Sequence, residues 1–226
     1  LFAESVTGIY RFFWNEFCDW YLEWIKPRLR TDSDTQRQAQ QVSTFCLDQI
    51  LRLMHPAMPF ITEKLWSELN RQCPTRGVDQ LFTAEAPLVV SPWPKARGEW
   101  TDTTPVDDMD QLQQVIRALR DIRANINRSR ASNTQSSINS LPLAHLRCSK
   151  HQAKMIEAMK DILCQLANLD RLVVNPPEFT TAGCAARVIS DQRGTTIELA
   201  VPVADLIDIG HERKRLQQEL NQLTQH

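Results

Sequence analysis

The chain has 226 residues, 42% of them hydrophobic and 23% charged, with 12 prolines and only 6 glycines. That length allows one large domain or two small ones with a real core, and the composition excludes a disordered or collagen-like chain. Lys+Arg 26 against Asp+Glu 27 leaves a net charge of −1, so whole-chain charge carries no nucleic-acid footprint and any such partner must be sought in local patches.

Six cysteines, at 18, 46, 73, 148, 164 and 184, form no C-x-x-C pair and have wide, uneven gaps. That pattern argues against a zinc knuckle and a disulfide framework and predicts buried, reduced thiols in a cytoplasmic protein. No apolar run approaches the roughly 18 residues of a membrane span, and no signal peptide opens the sequence. The chain starts at Leu1 rather than Met, with Leu1-Phe2-Ala3-Glu4 reading as a helix already under way. It is expected to be a piece of something longer.

Residues 1–70 read as helical. From Ile9 to Ile25, aromatic residues recur at helical spacing, and Pro27 is expected to end that helix. Asp32-Ser33-Asp34 offers an N-cap for a second helix with a buried stripe of Ala39, Val42, Cys46, Ile50 and Leu53. His55-Pro56 stops it. Pro59 opens a third helix whose predicted apolar face is Ile61, Leu65, Trp66 and Leu69. Short connections imply antiparallel neighbours in a bundle. Residues 71–104 read as an irregular excursion, with an extended stretch at Leu88-Val89-Val90. Pro105 with Asp107, Asp108 and Asp110 then opens a long helix to about Arg128, followed by a polar linker from Ser129 to Ser140.

From Leu141 the period changes. Leu141–Arg147 reads as a strand, Gln152–Leu166 as a helix, and Leu172–Val174, Ala186–Ser190 and Thr195–Val201 as further strands, a small α+β unit. The tail from Glu212 to His226 reads as a polar helix with Leu216, Leu220 and Leu223 in heptad steps. The predicted fold is mainly α: a helical bundle over 1–130 with the excursion 71–104, an α+β subdomain over 131–209, and a short terminal helix over 210–226.

At about 100° per residue, Ile9, Phe13, Phe17, Trp20 and Trp24 share one side of the first helix, widened by Trp14 and Tyr21. The opposite side collects Phe12, Asn15, Glu16, Asp19 and Glu23. Phe12 is a large ring among amides and carboxylates. Either another helix covers it, or it is a platform on which an unpaired base stacks. In the second case Asn15 suits an adenine edge, and Glu16 or Asp19 suits a cytosine amino group.

The long helix buries Leu112, Val115, Leu119, Ile122 and Ile126, and carries Arg117, Arg120, Arg123 and Arg128 on one flank with Arg130 beyond. Such a flank is either a solvated face or a phosphate-holding one. Arg213, Lys214 and Arg215 form a smaller cluster with the same two readings. Catalytic constellations are missing. There is no Gly-rich phosphate loop and no G-x-S-x-G, and His55 in its proline turn reads as structural.

Several runs resemble one family. Ile9-Tyr10-Arg11-Phe12-Phe13-Trp14-Asn15-Glu16-Phe17-Cys18-Asp19-Trp20-Tyr21-Leu22-Glu23 resembles the first long segment of the anticodon-binding bundle of the valyl-tRNA synthetases. Leu53-Met54-His55-Pro56-Ala57-Met58-Pro59-Phe60-Ile61-Thr62-Glu63-Lys64-Leu65-Trp66 resembles a motif shared with the isoleucyl and leucyl enzymes. Ser91-Pro92-Trp93-Pro94 and Ile116-Arg117-Ala118-Leu119-Arg120-Asp121-Ile122-Arg123 follow in the family's order. Ala204-Asp205-Leu206-Ile207-Asp208-Ile209 leading into Glu212-Arg213-Lys214-Arg215-Leu216 resembles the start of its C-terminal coiled coil. One departure is that Asn127-Arg128-Ser129-Arg130 lacks the proline usual after the arginine helix.

The resemblance implies a non-catalytic, tRNA-recognising fragment. Its parent would be an ATP- and magnesium-dependent ligase of valine to tRNA, with catalytic and editing domains upstream. The fragment itself would hold no cofactor and no metal, and would work as a cytoplasmic monomer away from membranes. The bundle would read the valine anticodon, the arginine helix would hold the anticodon stem, and the coil would reach the tRNA elbow. An isoleucyl or leucyl relative, or a helical protein–protein module, are the alternatives.

Overall fold

The computed structural model describes residues 2–30, 34–78, 80–96, 98–190 and 194–208, with Gly210, Arg213 and Gln217. The chain divides into two compact units, Leu1–Thr101 and Asp102–His226. The long helix, expected with the bundle over 1–130, packs within the second unit.

In the first unit, α1 (Phe2–Arg11) runs directly into a π-wound segment (Phe12–Leu22) and then α2 (Glu23–Leu29). Its aromatic residues build the inner face. Phe17, Trp20 and Trp24 are buried, and Phe13, Phe17 and Tyr21 stack in series, with ring centroids 6.3 and 5.6 Å apart and planes 20° from parallel. Trp14 departs from the expected pattern. It is exposed and leans edge-on against Phe13 at 5.3 Å. The wider i→i+5 winding changes the angle per residue, so a 100° wheel misplaces it. Pro27 lies inside α2, two residues before its end. The bond it forgoes is in the last turn, so the helix closes beyond it rather than at it. The predicted cap at Asp32-Ser33 lies outside the described residues.

Helix α3 (Asp34–Met54) touches α1, α2, α4 (Pro59–Gln72) and the hairpin strand β1 (Thr75–Arg76). It serves two cores: Ile50 and Met54 meet Phe17, and Leu51 meets Trp66, Leu69, Ala84 and Leu88. This explains why its burial is broader than a single stripe. Ala39 and Ile50 are buried as expected, Val42, Cys46 and Leu53 only partly, and Phe45, Asp48 and Arg52 are buried as well. In the His55-Pro56 turn, the Thr62 hydroxyl donates to the Met58 carbonyl at 2.8 Å and meets His55 Nδ1 at 2.8 Å. Nδ1 therefore acts as the donor to Thr62, a structural role as expected.

The inner face of α4 is Thr62, Trp66 and Leu69. Ile61 and Leu65, expected inside, are exposed, as are Met58 and Phe60. Trp66 sets the rotation: its indole N–H donates to the Ala86 carbonyl at 3.0 Å. That bond and the rings' neighbours point the helix one residue away from the sequence-predicted seam. The excursion is more ordered than expected. β1 pairs antiparallel with β2 (Phe82–Thr83). Between them Gly77 has φ +131°, and a Cβ there would lie 2.0 Å from the Gln80 carbonyl oxygen, so only glycine fits. Leu88–Val90 is a 3-10 turn rather than an extended stretch, and Leu88 plugs the core.

In the second unit, α5 (Thr104–Ser132) buries Leu112, Val115, Ile116, Leu119, Ile122 and Ile126. These face α6 (Lys150–Ala158), α7 (Lys160–Ala167) and strand β5 (Cys184–Ser190). That packing is why α5 belongs to this unit. The sheet order is β4-β3-β6-β5, with β3 (Ala144–Arg147) parallel to β4 (Leu172–Val174) and antiparallel to β6 (Thr196–Pro202), which pairs antiparallel with β5. The helical crossover joins the two parallel strands. The single helix expected over Gln152–Leu166 is two, divided at Met159. Ser149 and Gln152 form a reciprocal capping box at its start, and Asn168, in the left-handed region, ends it. The polar stretch after α5 is pinned rather than free: Asn127 exchanges two hydrogen bonds with Ile138. Gly210, Arg213 and Gln217 are helical; Leu216, Leu220 and Leu223, which carried the coiled-coil reading, lie outside the described residues. No described helix is long and apolar enough to cross a membrane.

Candidate nucleic-acid interface

The π segment presents one wet flank. Phe12 is 50% exposed, and Asn15, Glu16 and Asp19 are all exposed beside it. Among the described residues no helix covers the ring. Its neighbours Tyr10 and Trp14 are also exposed, 6.2 Å apart, so the flank carries more aromatic surface than the sequence wheel assigns to it. On the inner side, burial, reinforced by Cys46 and opposed by Arg28, pushes the Tyr21 hydroxyl up to about 12. Burial likewise raises the Cys46 thiol. All six cysteines are unpaired and partly buried, so they are packing groups rather than disulfides.

The arginines of α5 divide into two groups. Arg120 donates through Nε and Nη2 to the Leu166 carbonyl at 3.0 and 2.8 Å. Arg123 donates to Asn139 and Ala167 carbonyls at 3.0 and 3.3 Å. Leu166 and Ala167 are the last residues of α7, whose end carbonyls have no partner within the helix. These two cations therefore cap α7 at its negative end. Arg130 donates to the Ser136 and Leu206 carbonyls, both at 2.7 Å. Arg117 and Arg128 instead bond along their own helix, to Gln113 and Asn125, and are exposed. Arg213 is exposed, while Lys214 and Arg215 lie outside the described residues. The five arginines thus differ in their partners: three hold backbone carbonyls beyond α5 and two bond along it.

A further group escaped the sequence reading. Asp48 is fully buried on α3. Its carboxylate accepts from Arg52 Nε at 2.7 Å, Arg76 Nε at 2.9 Å and Gln49 Nε2 at 2.9 Å. Arg76 also donates to the Cys73 carbonyl and the Asn70 side chain. Both guanidinium carbons lie over the Trp66 ring, at 4.8 and 4.5 Å. The two cations and one carboxylate, separated by 28 residues in sequence, clamp the excursion onto α3 and α4. Among the described residues, no cluster of His, Cys, Asp and Glu could hold a metal.

Residues 1–138 match the family described as the anticodon-binding domain of tRNA ligase. The chain belongs to that family. Along nearly its whole length it is also similar to valine–tRNA ligases. The Caulobacter vibrioides protein is 32% identical over 221 residues, 97% of this chain and 22% of that protein. The Bacillus anthracis protein is 32% identical over 96% of this chain and 22% of its own length, and the Lactiplantibacillus plantarum protein 34% over 95% and 22%. The chain spans about a fifth of the length of these curated relatives. The match covers the whole first unit and α5 of this anticodon-binding-domain chain, and the similarity to the ligases extends through the sheet.

Proposed function

We propose that this chain is the tRNA-recognising part of a valine–tRNA ligase acting in the cytoplasm. Valine activation with ATP and magnesium, and editing, belong to the rest of that polypeptide. The observation that carries the reading is the half-exposed Phe12 ring beside exposed Asn15, Glu16 and Asp19. Carboxylates repel phosphates, so next to RNA they suit base edges: Glu16 or Asp19 accepts from a cytosine amino group, and Asn15 pairs with adenine. Valine anticodons carry both bases. Unpaired, splayed bases stacked on aromatic rings are the usual way RNA sequence is read. Phosphate contacts fall to Arg117 and Arg128, with Arg213, Lys214 and Arg215 further along. Arg120, Arg123 and Arg130 hold backbone carbonyls within the second unit itself.

The test is a pair of titrations of the 226-residue chain with valine and isoleucine tRNA transcripts in one buffer. Tighter binding of valine tRNA, by about 5- to 150-fold for a single discriminating pair, is expected. Equal affinities, or a preference for isoleucine tRNA, would refute the valine assignment.

A further inference from the structure

Beyond the Phe12 flank, the first unit contains a cleft of about 320 Å³ formed by α3, the hairpin, residues Pro92 to Lys95 and Trp100. Its walls are aromatic: Phe45, Phe82, Trp93 and Trp100. Phe45 and Trp100 meet edge to face at 5.8 Å and 88°, while Trp93 and Trp100 are 58% and 53% exposed. Two cations, Arg52 and Lys95, line the same cleft. They differ in kind. Lys95 is exposed, and Arg52 is nine-tenths buried, with its guanidinium 5.7 Å from the Phe82 ring centre.

The cleft is held rigid from beneath. Arg52, oriented by Asp48, donates through Nη1 to the Pro92 carbonyl at 2.8 Å. Pro92 and Pro94 flank Trp93, and each proline restricts its own backbone and that of the residue before it. The backbone that carries the exposed indole is therefore positioned in advance, which lowers the ordering cost of binding. Rigid aromatic faces beside cations are the chemistry that takes a flat, π-faced group attached to an anion. Its volume, at the small end of ligand pockets, suits one such group rather than a helix.

We propose that this cleft is a second nucleobase pocket, taking one unstacked base of single-stranded RNA against Trp93 with its phosphate toward Lys95. The inference rests on the tRNA-binding reading above. The experiment measures affinity of the 226-residue chain for a valine tRNA transcript by fluorescence anisotropy across a salt series. Trp93→Ala is expected to weaken binding about 5- to 150-fold, and Trp93→Phe to retain most of it. Lys95→Glu, on an exposed side chain that cannot affect folding through the core, is expected to weaken binding and flatten the salt dependence by about one contact. If Trp93→Ala melts early, Trp93→Phe and Lys95→Glu carry the test. Unchanged affinity in Trp93→Ala or Lys95→Glu, with Phe12→Ala still impaired, overturns the cleft and leaves the first reading standing. Failure of the unmodified chain to bind the transcript overturns both.

Discussion

Substituting Asp48→Asn keeps the side chain's shape but removes the carboxylate that pairs with both Arg52 and Arg76. In the native arrangement Asp48 Oδ1 lies 2.7 Å from Arg52 Nε and Oδ2 2.9 Å from Arg76 Nε, with Asp48 and Arg76 wholly shielded from solvent. The substitution leaves two cations sharing the Trp66 ring without a counter-charge, and turns one acceptor into a donor facing a donor. Breaking a buried pair from one side costs about 3–5 kcal/mol. In a unit of about 100 residues, each kcal/mol shifts Tm by about 4–8 °C, so the melt should fall by at least ~12 °C. The composition supplies a selective probe: all six tryptophans, 14, 20, 24, 66, 93 and 100, lie before residue 102. Thermal unfolding followed by tryptophan emission therefore reports the first unit alone. Adding Arg76→Met to Asp48→Asn should cost less than the sum of the two single changes, because they share one interaction. A fall of less than ~4 °C, with the two substitutions additive, would refute the idea that this cluster clamps the excursion to the bundle.

Arg120→Met should destabilise the second unit by about 1–2 kcal/mol through its lost hydrogen bonds to Leu166, lowering the far-UV dichroism melt while the tryptophan-detected melt stays put. Because Arg120 and Arg123 cap α7, neutralising them should leave the salt dependence of tRNA binding nearly unchanged, whereas neutralising Arg117 and Arg128 should reduce its log–log slope by ~0.9 per contact. Tyr21 supplies a pH prediction. Its folded-state value is pushed up to about 12 from the ordinary 10, so its contribution is fully present below pH 10 and lost as pH rises toward 12. Stability should fall over that window by at most ~1.4 kcal/mol per pH unit, and Tyr21→Phe should flatten the fall.

How much of this could be read in advance depended on how local the determining contacts are. The long helix, the four main strands, the Pro59 start and the structural role of His55 follow from periodicity and proline geometry confined to a few residues. The face of α4 does not. Ile61 and Leu65 look as apolar as Trp66, and the distant partners of Trp66, the Ala86 carbonyl and the Leu88 cluster among them, accompany the turn of the helix. The packing partner of α5 was illegible for the same reason. The stripe on α5 shows that it is buried but not which partner buries it, and the partners lie 25 or more residues on. The arginines of α5 were legible as a charged flank, yet their carbonyl acceptors on α7 are set by the sheet's crossover. On the π segment, Phe12, Asn15, Glu16 and Asp19 lie on the outer side as the wheel indicated, whereas Trp14, which the wheel put inside, is exposed, because the winding there is wider than an α-helix. The Asp48–Arg76 pair joins residues too far apart for any spacing rule.

Phe12→Ala separates a ring that works on RNA, as proposed, from one that works in the core. Half of the ring is already in water, so truncation should cost about 1 kcal/mol of stability, with little movement of the tryptophan-detected melt. The same substitution should weaken the complex with valine tRNA by about 5- to 150-fold. A large fall in Tm with unaltered tRNA affinity would contradict the account.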